Sequence, residues 1–225
     1  MFPKPIYDIT PFTMLDYPNH LATIFWFTKC NIRCVYCYNK DLVFGEGKIS
    51  QEEALVFLNS RVGLLEGVVL SGGEATLYSD LVAFCKKIKQ LKFKIKLDTN
   101  GLNPEMIQVL VANKLIDYIA LDYKAPKEKY YEITKDKHFD SFSETLNFLI
   151  KKQFPFEVRT TVHRDLLRVE EINRIIKDLL KRKYNGTYYL QPFVFTENTI
   201  GRVKEEKNPF NIAQLSKELE VIWRV

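Results

Sequence analysis

Short β-rich runs alternate with helical stretches along most of the 225-residue chain. Such an alternation predicts parallel strands joined by right-handed helical crossovers. Six strand–helix units would form an α/β fold of the partial (β/α)6, TIM-like barrel type, and an open doubly wound sheet satisfies the same pattern. The length favours a single domain over residues 1–225. The predicted strands are 22–28, 67–70, 94–98, 118–122, 156–162 and 187–193, and the predicted helices are 50–61, 79–91, 104–114, 141–152, 168–183 and 211–222.

The composition argues against membrane and nucleic-acid binding. No stretch approaches the roughly 20 apolar residues of a membrane span, and the N-terminal MFPKPIYDITPF lacks the apolar run of a signal peptide. Lysine and arginine exceed the acidic residues by 33 to 28, but the excess is spread over helical surfaces without interleaved aromatic residues. We therefore expect a cytoplasmic protein that binds no membrane and no nucleic acid.

Three of the four cysteines fall within eight residues, in the segment FTKCNIRCVYCYN. Clustered thiols in an intracellular chain of this size indicate a metal centre at Cys30, Cys34 and Cys37, and thiolates favour zinc or iron–sulfur. Zinc would need a fourth ligand, for which His20 or a neighbouring carboxylate is a candidate, whereas three cysteines on a four-iron cluster leave one iron open. Cys85 lies in an apolar helical stretch and is expected to be a buried packing residue.

The other unusual residues all follow the ends of successive predicted strands. In barrel enzymes the chemistry gathers at this edge of the sheet, so we expect these residues to form a single site. They are Cys30 after the first strand, Gly72, Gly73 and Glu74 after the second, Asp98 and Thr99 at the third, and Asp122 and Lys124 at the fourth.

These motifs resemble those of the radical S-adenosylmethionine (radical SAM) superfamily. The spacing CxxxCxxC, with the aromatic Tyr36 before the last cysteine, is the hallmark of that family, and Gly72-Gly73-Glu74 looks like its GGE motif. The resemblance implies a [4Fe-4S] cluster on Cys30, Cys34 and Cys37, whose open iron takes the amino and carboxylate groups of S-adenosylmethionine. It also implies that Tyr36 lies near the adenine and that the GGE residues contact the amino group.

Within the superfamily, the chain is most similar to activases of glycyl radical enzymes, particularly those of the anaerobic ribonucleoside-triphosphate reductase. The similarity extends from Asp16-Tyr17-Pro18 through the cluster loop of residues 29–39 to LDTNG and LDYKAP, although Tyr38 stands where activases often have histidine. It implies that several further residues serve cosubstrate binding. They are Asp98, Thr99 and Asp122 around a monovalent cation, Lys124 reaching the cosubstrate, Arg159 at its carboxylate, and Gln191 near the nucleoside.

The implied reaction starts with an electron from flavodoxin or ferredoxin. Cleavage of S-adenosylmethionine then leaves methionine and a 5′-deoxyadenosyl radical, which takes a glycine Cα hydrogen from a partner enzyme. Two alternatives remain: a small radical SAM enzyme acting on a purine-like precursor, and a non-catalytic metal-binding or electron-transfer module. Cys85 alone is too little for an auxiliary cluster, and His163, which ends the fifth strand, is expected to be structural.

Overall fold

A computed structural model describes residues 4–206, 210 and 212–224. Strands and helices alternate through most of this part of the chain. Short 3-10 turns occur at Ala75–Leu77 and Ile212–Gln214. The strands are β1 (Ile6–Thr13), β2 (Ala22–Phe27), β3 (Gly67–Gly72), β4 (Lys94–Thr99), β5 (Tyr118–Asp122), β6 (Phe156–Val162), β7 (Tyr188–Pro192) and β8 (Val221–Trp223), and the helices are α1 (Lys40–Phe44), α2 (Gln51–Asn59), α3 (Leu81–Gln90), α4 (Pro104–Ala112), α5 (Lys127–Thr134), α6 (Phe139–Lys152) and α7 (Val169–Lys181).

The strands follow one another in the sheet in chain order, from β1 to β8. β1 is antiparallel to β2, whereas β2, β3 and β4 pair in parallel, as do β6, β7 and β8. The order leaves β1 and β8 at its two ends, so the sheet is open. Helices between consecutive parallel strands provide the crossovers that such pairing requires.

The first of two compact units comprises residues 4–31, 39–99 and 103–119. Its core is aromatic: Phe25 on β2 and Phe84 on α3 are fully buried and stack with ring centroids 6.0 Å apart. Helix α2 begins with a capping box, in which Ser50 and Glu53 each accept the other's backbone N–H. Such caps fix where a helix starts and therefore where the preceding loop ends.

The second unit comprises residues 32–38, 100–102 and the described part of 120–225. Tyr123, directly after β5, packs edge-on against Phe142 of α6 at 4.7 Å. Helix α7 presents one apolar face to this core, because Ile172, Ile175 and Leu179 are buried at helical spacing. None of the helices in the described residues is long and apolar enough to cross a membrane.

The six predicted strands all coincide with observed strands, β2 to β7. Two expectations are corrected. The described sheet has eight strands rather than six, because β1 and β8 extend it at its ends. The helix predicted over 211–222 is wrong for residues 212–222, which form a 3-10 turn and the start of β8, because Val221–Trp223 pairs with β7 instead; residue 211 lies outside the described residues.

Candidate active site

The second half of the cluster loop is a tight turn in the second unit. The Cys37 N–H donates to the Cys34 carbonyl at 3.0 Å. Helix α5 holds one side of the turn, since its Ile133 carbonyl accepts the Val35 N–H at 2.9 Å. A strap formed by residues 199–204 holds the other side: the Gly201 N–H donates to the Val35 carbonyl at 2.7 Å. The backbone that carries Cys34 and Cys37 is thus hydrogen-bonded on two sides.

Gly201 is required in the strap for steric reasons. A Cβ on Gly201 would lie 2.6 Å from Val35 Cβ and 2.8 Å from the Val35 carbonyl oxygen, distances that no ordinary contact shows. His163 fastens the strap from the other end, because its Nε2 donates to the Lys204 carbonyl at 2.9 Å. The structural role expected for His163 is confirmed, and the strap itself was not predicted, since no motif marks it.

All four cysteines are free of disulfides. Cys34 is buried, whereas Cys30, in the first unit, and Cys37 are partly exposed. Within the described residues, no three His, Cys, Asp or Glu side chains are already arranged to hold a metal ion, so the ligand assignment stays a prediction. Cys85 is fully buried in α3, and burial raises the pKa of its thiol to about 12, which confirms its packing role.

Four predicted site residues of the second unit converge, although up to 123 positions separate them in the chain. Tyr36, which lies between Cys34 and Cys37 in the chain, is buried. The Lys124 ammonium lies 5.9 Å from the centre of the Tyr36 ring. Lys124 Nζ donates to Asp122 Oδ2 at 3.0 Å, and Arg159 Nε donates to Asp122 Oδ1 at 2.5 Å. The structure therefore brings Tyr36, Lys124, Asp122 and Arg159 into one group beside Cys34.

The charges of this group are fixed by mutual pairing. Burial opposes ionisation of Asp122, but the Arg159 guanidinium and the Lys124 ammonium lower its pKa to about 2. Burial also opposes the charge of Lys124, but Asp122 raises its pKa well above the usual range. Two cations and one carboxylate leave a net charge of +1, which suits an anionic ligand. Arg159 faces inward as predicted, and Asp122 is an anion at its guanidinium.

The Gly72-Gly73-Glu74 turn belongs to the first unit and packs against the end of β2. Gly72 has φ +111, and a Cβ there would lie 2.5 Å from the Phe27 carbonyl oxygen; at Gly73 it would lie 2.0 Å from that of Lys29. The Gly73 and Glu74 N–H groups donate to these two carbonyls, each at 2.8 Å. The glycines therefore let the turn approach the segment that leads to Cys30.

Glu74 is almost fully buried and organises the turn. Its Oε1 accepts the Thr76 N–H and hydroxyl, at 3.2 and 2.7 Å, and the Thr99 hydroxyl at 2.9 Å. Asp98, the residue before Thr99, has different partners: its Oδ2 accepts the Ser71 hydroxyl at 3.0 Å and its Oδ1 accepts Lys96 Nζ at 2.6 Å. Lys96 was missed by sequence reasoning, because a lysine in the alternating KIKLDT resembles any outward-facing strand lysine.

Gln191 takes part in none of the contacts described above. It is partly buried on β7, where it is in register with Thr161 of β6. Its predicted place near a nucleoside stays a prediction.

Comparison with known proteins decides the family. Residues 24–179, more than half of the chain, match the Radical SAM superfamily. The chain belongs to this superfamily. A protein of Methanocaldococcus jannaschii, provisionally described as a glycyl-radical enzyme activating enzyme, is 31% identical over 191 residues, 82% of this chain and 78% of that protein. A GTP 3′,8-cyclase of Synechocystis is 31% identical over 144 residues, 61% of this chain and 44% of the cyclase.

Solved structures of proteins with bound S-adenosylmethionine share the fold. SuiB of Streptococcus suis bound to S-adenosylmethionine superposes with a TM-score of 0.68 at 14% identity, covering 88% of this chain and 48% of SuiB. The structure of anSMEcpe with bound AdoMet superposes with a TM-score of 0.61 at 20% identity, covering 74% and 49%. The chain thus spans about half the length of these structures. The likeness confirms the predicted partial TIM-like α/β fold.

Radical SAM membership implies a [4Fe-4S] cluster and S-adenosylmethionine. The donor set of the cluster loop fits the first, because it offers three free thiols and no fourth cysteine within the loop. Two features fit the second. The Tyr36 hydroxyl is a buried polar atom without a hydrogen bond in the structure, and the Asp122 group beside it carries the net positive charge that a carboxylate ligand needs.

Proposed function

We propose that this radical SAM enzyme installs a glycyl radical on a partner enzyme, with the anaerobic ribonucleoside-triphosphate reductase as the expected partner. The convergence of Tyr36, Lys124, Asp122 and Arg159 beside Cys34 carries the proposal, since it joins the Asp-x-Lys motif of the activases to the cluster turn. The similarity to the Methanocaldococcus protein supports the same branch. We also propose that the protein works in the cytoplasm.

Cys30, Cys34 and Cys37 are the proposed cluster ligands. The cluster, when bound, supplies the one electron that cleaves S-adenosylmethionine, and flavodoxin or ferredoxin is the proposed donor. Cleavage would break the bond between the sulfonium and C5′ and release methionine and a 5′-deoxyadenosyl radical. That radical would take a hydrogen atom from a glycine Cα of the partner, which would yield 5′-deoxyadenosine and leave the unpaired electron on the glycine.

The charge of the Asp122 group suits the carboxylate of S-adenosylmethionine. Asp122, Lys124 and Arg159 together carry a net charge of +1, which complements the carboxylate. Glu74 of the GGE motif, which is almost fully buried, is the proposed partner of the amino group.

Two residues are the proposed neighbours of the nucleoside, namely Tyr36 near the adenine and Gln191. Gly72 and Gly73 are proposed, with Glu74, as contacts of the amino group. The resemblance also assigns Asp98, Thr99 and Asp122 to a monovalent cation beside the carboxylate of the cosubstrate, but both aspartates already accept hydrogen bonds from lysine.

The test is the electron paramagnetic resonance doublet of a glycyl radical. The reconstituted enzyme is incubated anaerobically with S-adenosylmethionine, a reductant and candidate glycyl radical enzymes. We expect a doublet together with one equivalent of 5′-deoxyadenosine, and neither with the Cys34→Ala enzyme or with a partner whose radical glycine is replaced by alanine. Formation of 5′-deoxyadenosine with no doublet on any partner encoded in the same genome would contradict the proposal.

A second candidate function is chemistry on a small purine-like molecule. The similarity to the Synechocystis GTP 3′,8-cyclase favours it, and it would use the same cluster and cosubstrate residues. Stimulation of S-adenosylmethionine cleavage by GTP or another purine nucleotide, with a modified nucleotide among the products, distinguishes it from activation of a protein. Bound zinc in place of iron–sulfur absorbance would instead indicate a non-catalytic module.

A further inference from the structure

Lys96 is a charged side chain inside the protein, only 2% exposed, that belongs to none of the motifs. It lies on β4 two residues before Asp98, and side chains two apart on a strand share one face. The Lys96 Nζ donates to Asp98 Oδ1 at 2.6 Å. Because burying an ammonium costs much free energy, the pair with Asp98 is what makes its burial tolerable.

The side chains predicted to hold a monovalent cation do not fit one. Both oxygens of Asp98 accept hydrogen bonds, from Lys96 and Ser71, and both oxygens of Asp122 accept them from Arg159 and Lys124. A cation would have to compete with an ammonium or a guanidinium at each aspartate, at a cost in like-charge repulsion.

Thr99 also does not fit the predicted cation site. It follows Asp98 directly on β4, so the two side chains leave the strand on opposite faces. The Thr99 hydroxyl accordingly donates to Glu74, whereas the Asp98 carboxylate accepts from Ser71 and Lys96. The pair cannot close around one ion by their side chains without changing these contacts.

We propose that the Lys96 ammonium supplies, from within the chain, the positive charge that a monovalent cation would otherwise bring to Asp98. This inference rests on the proposed function, in which Asp98 lies on the cosubstrate's side of the site. It follows that the protein binds S-adenosylmethionine without a requirement for sodium or potassium. It also follows that removal of Lys96 creates such a requirement.

The first test needs no cosubstrate. The thermal unfolding temperature of the protein is measured in potassium chloride and in choline chloride at equal ionic strength, because choline cannot coordinate to carboxylates. We expect no difference for the wild type and for Lys94→Met, which removes an exposed lysine of the same strand. Lys96→Met should unfold at a higher temperature in potassium than in choline. A potassium-dependent wild type would overturn the inference.

The second test is the dissociation constant of S-adenosylmethionine for the cluster-loaded enzyme in the same two salts. The wild type and Lys96→Arg, which keeps the charge, should bind equally in both, whereas Lys96→Met should bind about tenfold more weakly in choline. Equal binding by Lys96→Met in both salts contradicts the inference. If Lys96→Met does not fold, the double variant Lys96→Met/Asp98→Asn removes both charges and should show no salt preference; a preference there counts against it.

The two proposals can fail separately. An enzyme that binds no S-adenosylmethionine would refute the proposed function, while the unfolding measurements still decide the role of Lys96. As a direct readout, thallium-205 resonance of thallium(I), a potassium substitute, should broaden with Lys96→Met and stay sharp with the wild type. Broadening with the wild-type protein would show a cation site and overturn the inference.

Discussion

Asp98 and Asp122 lie near the ends of successive strands, and each is paired with a lysine two residues away, yet the two lysines lie on opposite sides of their aspartates in the chain. Lys96 precedes Asp98 and lies within β4, where it is 2% exposed. Lys124 follows Asp122, beyond the end of β5, and its side chain is 16% exposed. The order of the two residues therefore decides whether the lysine is inside the sheet or at its edge.

The two aspartates also differ in the charges of the ion pairs they form. The charges of Asp98 and Lys96 cancel, whereas those of Asp122, Lys124 and Arg159 sum to +1. A neutral buried pair stabilises the fold and offers little to an anion. A positive group at the edge can bind one. The same Asp/Lys spacing thus gives a neutral buried pair at one strand and a group with net positive charge at the end of the other.

The largest expected effect tests whether Cys34, beside the Asp122 group, is a cluster ligand. Cys34→Ala should abolish cluster assembly and the formation of 5′-deoxyadenosine, because the cluster loop then lacks one of its three thiolates. Cys85→Ala should leave both largely intact, since that thiol is buried in α3. The measurements are iron content and product after anaerobic reconstitution; equal losses in the two variants would contradict the ligand assignment.

The next effect concerns the neutral pair. Lys96→Met should lower the free energy of unfolding by about 3–5 kcal/mol at low potassium, because it leaves the Asp98 carboxylate without its ammonium. Lys94→Met, on the exposed start of the same strand, should change it by less than about 0.5 kcal/mol. Urea unfolding of both variants provides the measurement. Similar values for the two lysines would show that the Lys96 pair contributes little.

The sequence predicted the inner strands of the sheet better than the two strands at its edges. Six β-rich runs coincide with β2 to β7, because buried parallel strands are apolar along their length and leave a clear local pattern. β1 was missed because its sequence IYDITPFT is polar and contains Pro11, which only an edge strand tolerates. β8 was mistaken for part of a helix, since Leu215 and Leu219 have helical spacing while the pairing with β7 involves distant residues.

Some residues of the candidate site were likewise predicted from local patterns, and others were not. The motifs predicted Tyr36, Asp122, Lys124 and Arg159, and the structure brings these four together. Lys96 and the Gly201 strap were not predictable, because what distinguishes them is a contact with a residue on the same face or far along the chain rather than a local pattern. A local sequence pattern can therefore predict that a residue belongs to a site, but the contacts between residues far apart in the chain are known only from the fold.

The pH dependence of stability tests whether the ion pairs of Asp122 stabilise the folded protein. Its pKa is lowered from 3.8 to about 2 in the native protein, so the folded state favours the ionised form. The stabilisation is complete above about pH 5 and is lost as the pH falls towards 2, and it amounts to about 2 kcal/mol. The difference in unfolding free energy between the wild type and Asp122→Asn should therefore shrink as the pH falls from 5 to 2.5. A difference that is constant over this range would contradict the ion-pair origin.

The smallest expected effect tests whether Lys124, the lysine beyond the end of β5, takes part in binding the cosubstrate. Lys124→Met should raise the dissociation constant of S-adenosylmethionine about tenfold, equivalent to about 1.4 kcal/mol. The loss is limited because Arg159 remains to hold Asp122 and to attract the carboxylate. For the same reason the unfolding temperature should fall much less than with Lys96→Met. Isothermal titration and thermal unfolding of one preparation give both values.

Lys127→Met is the matched control, since Lys127 is an exposed lysine of the same unit that pairs with Asp140 on the surface. Its affinity for the cosubstrate should equal that of the wild type. If Lys124→Met lowered stability as much as Lys96→Met and left the affinity unchanged, the two lysines would have the same role. The position of a lysine before or after its aspartate would then not separate a structural charge from a binding charge in this protein.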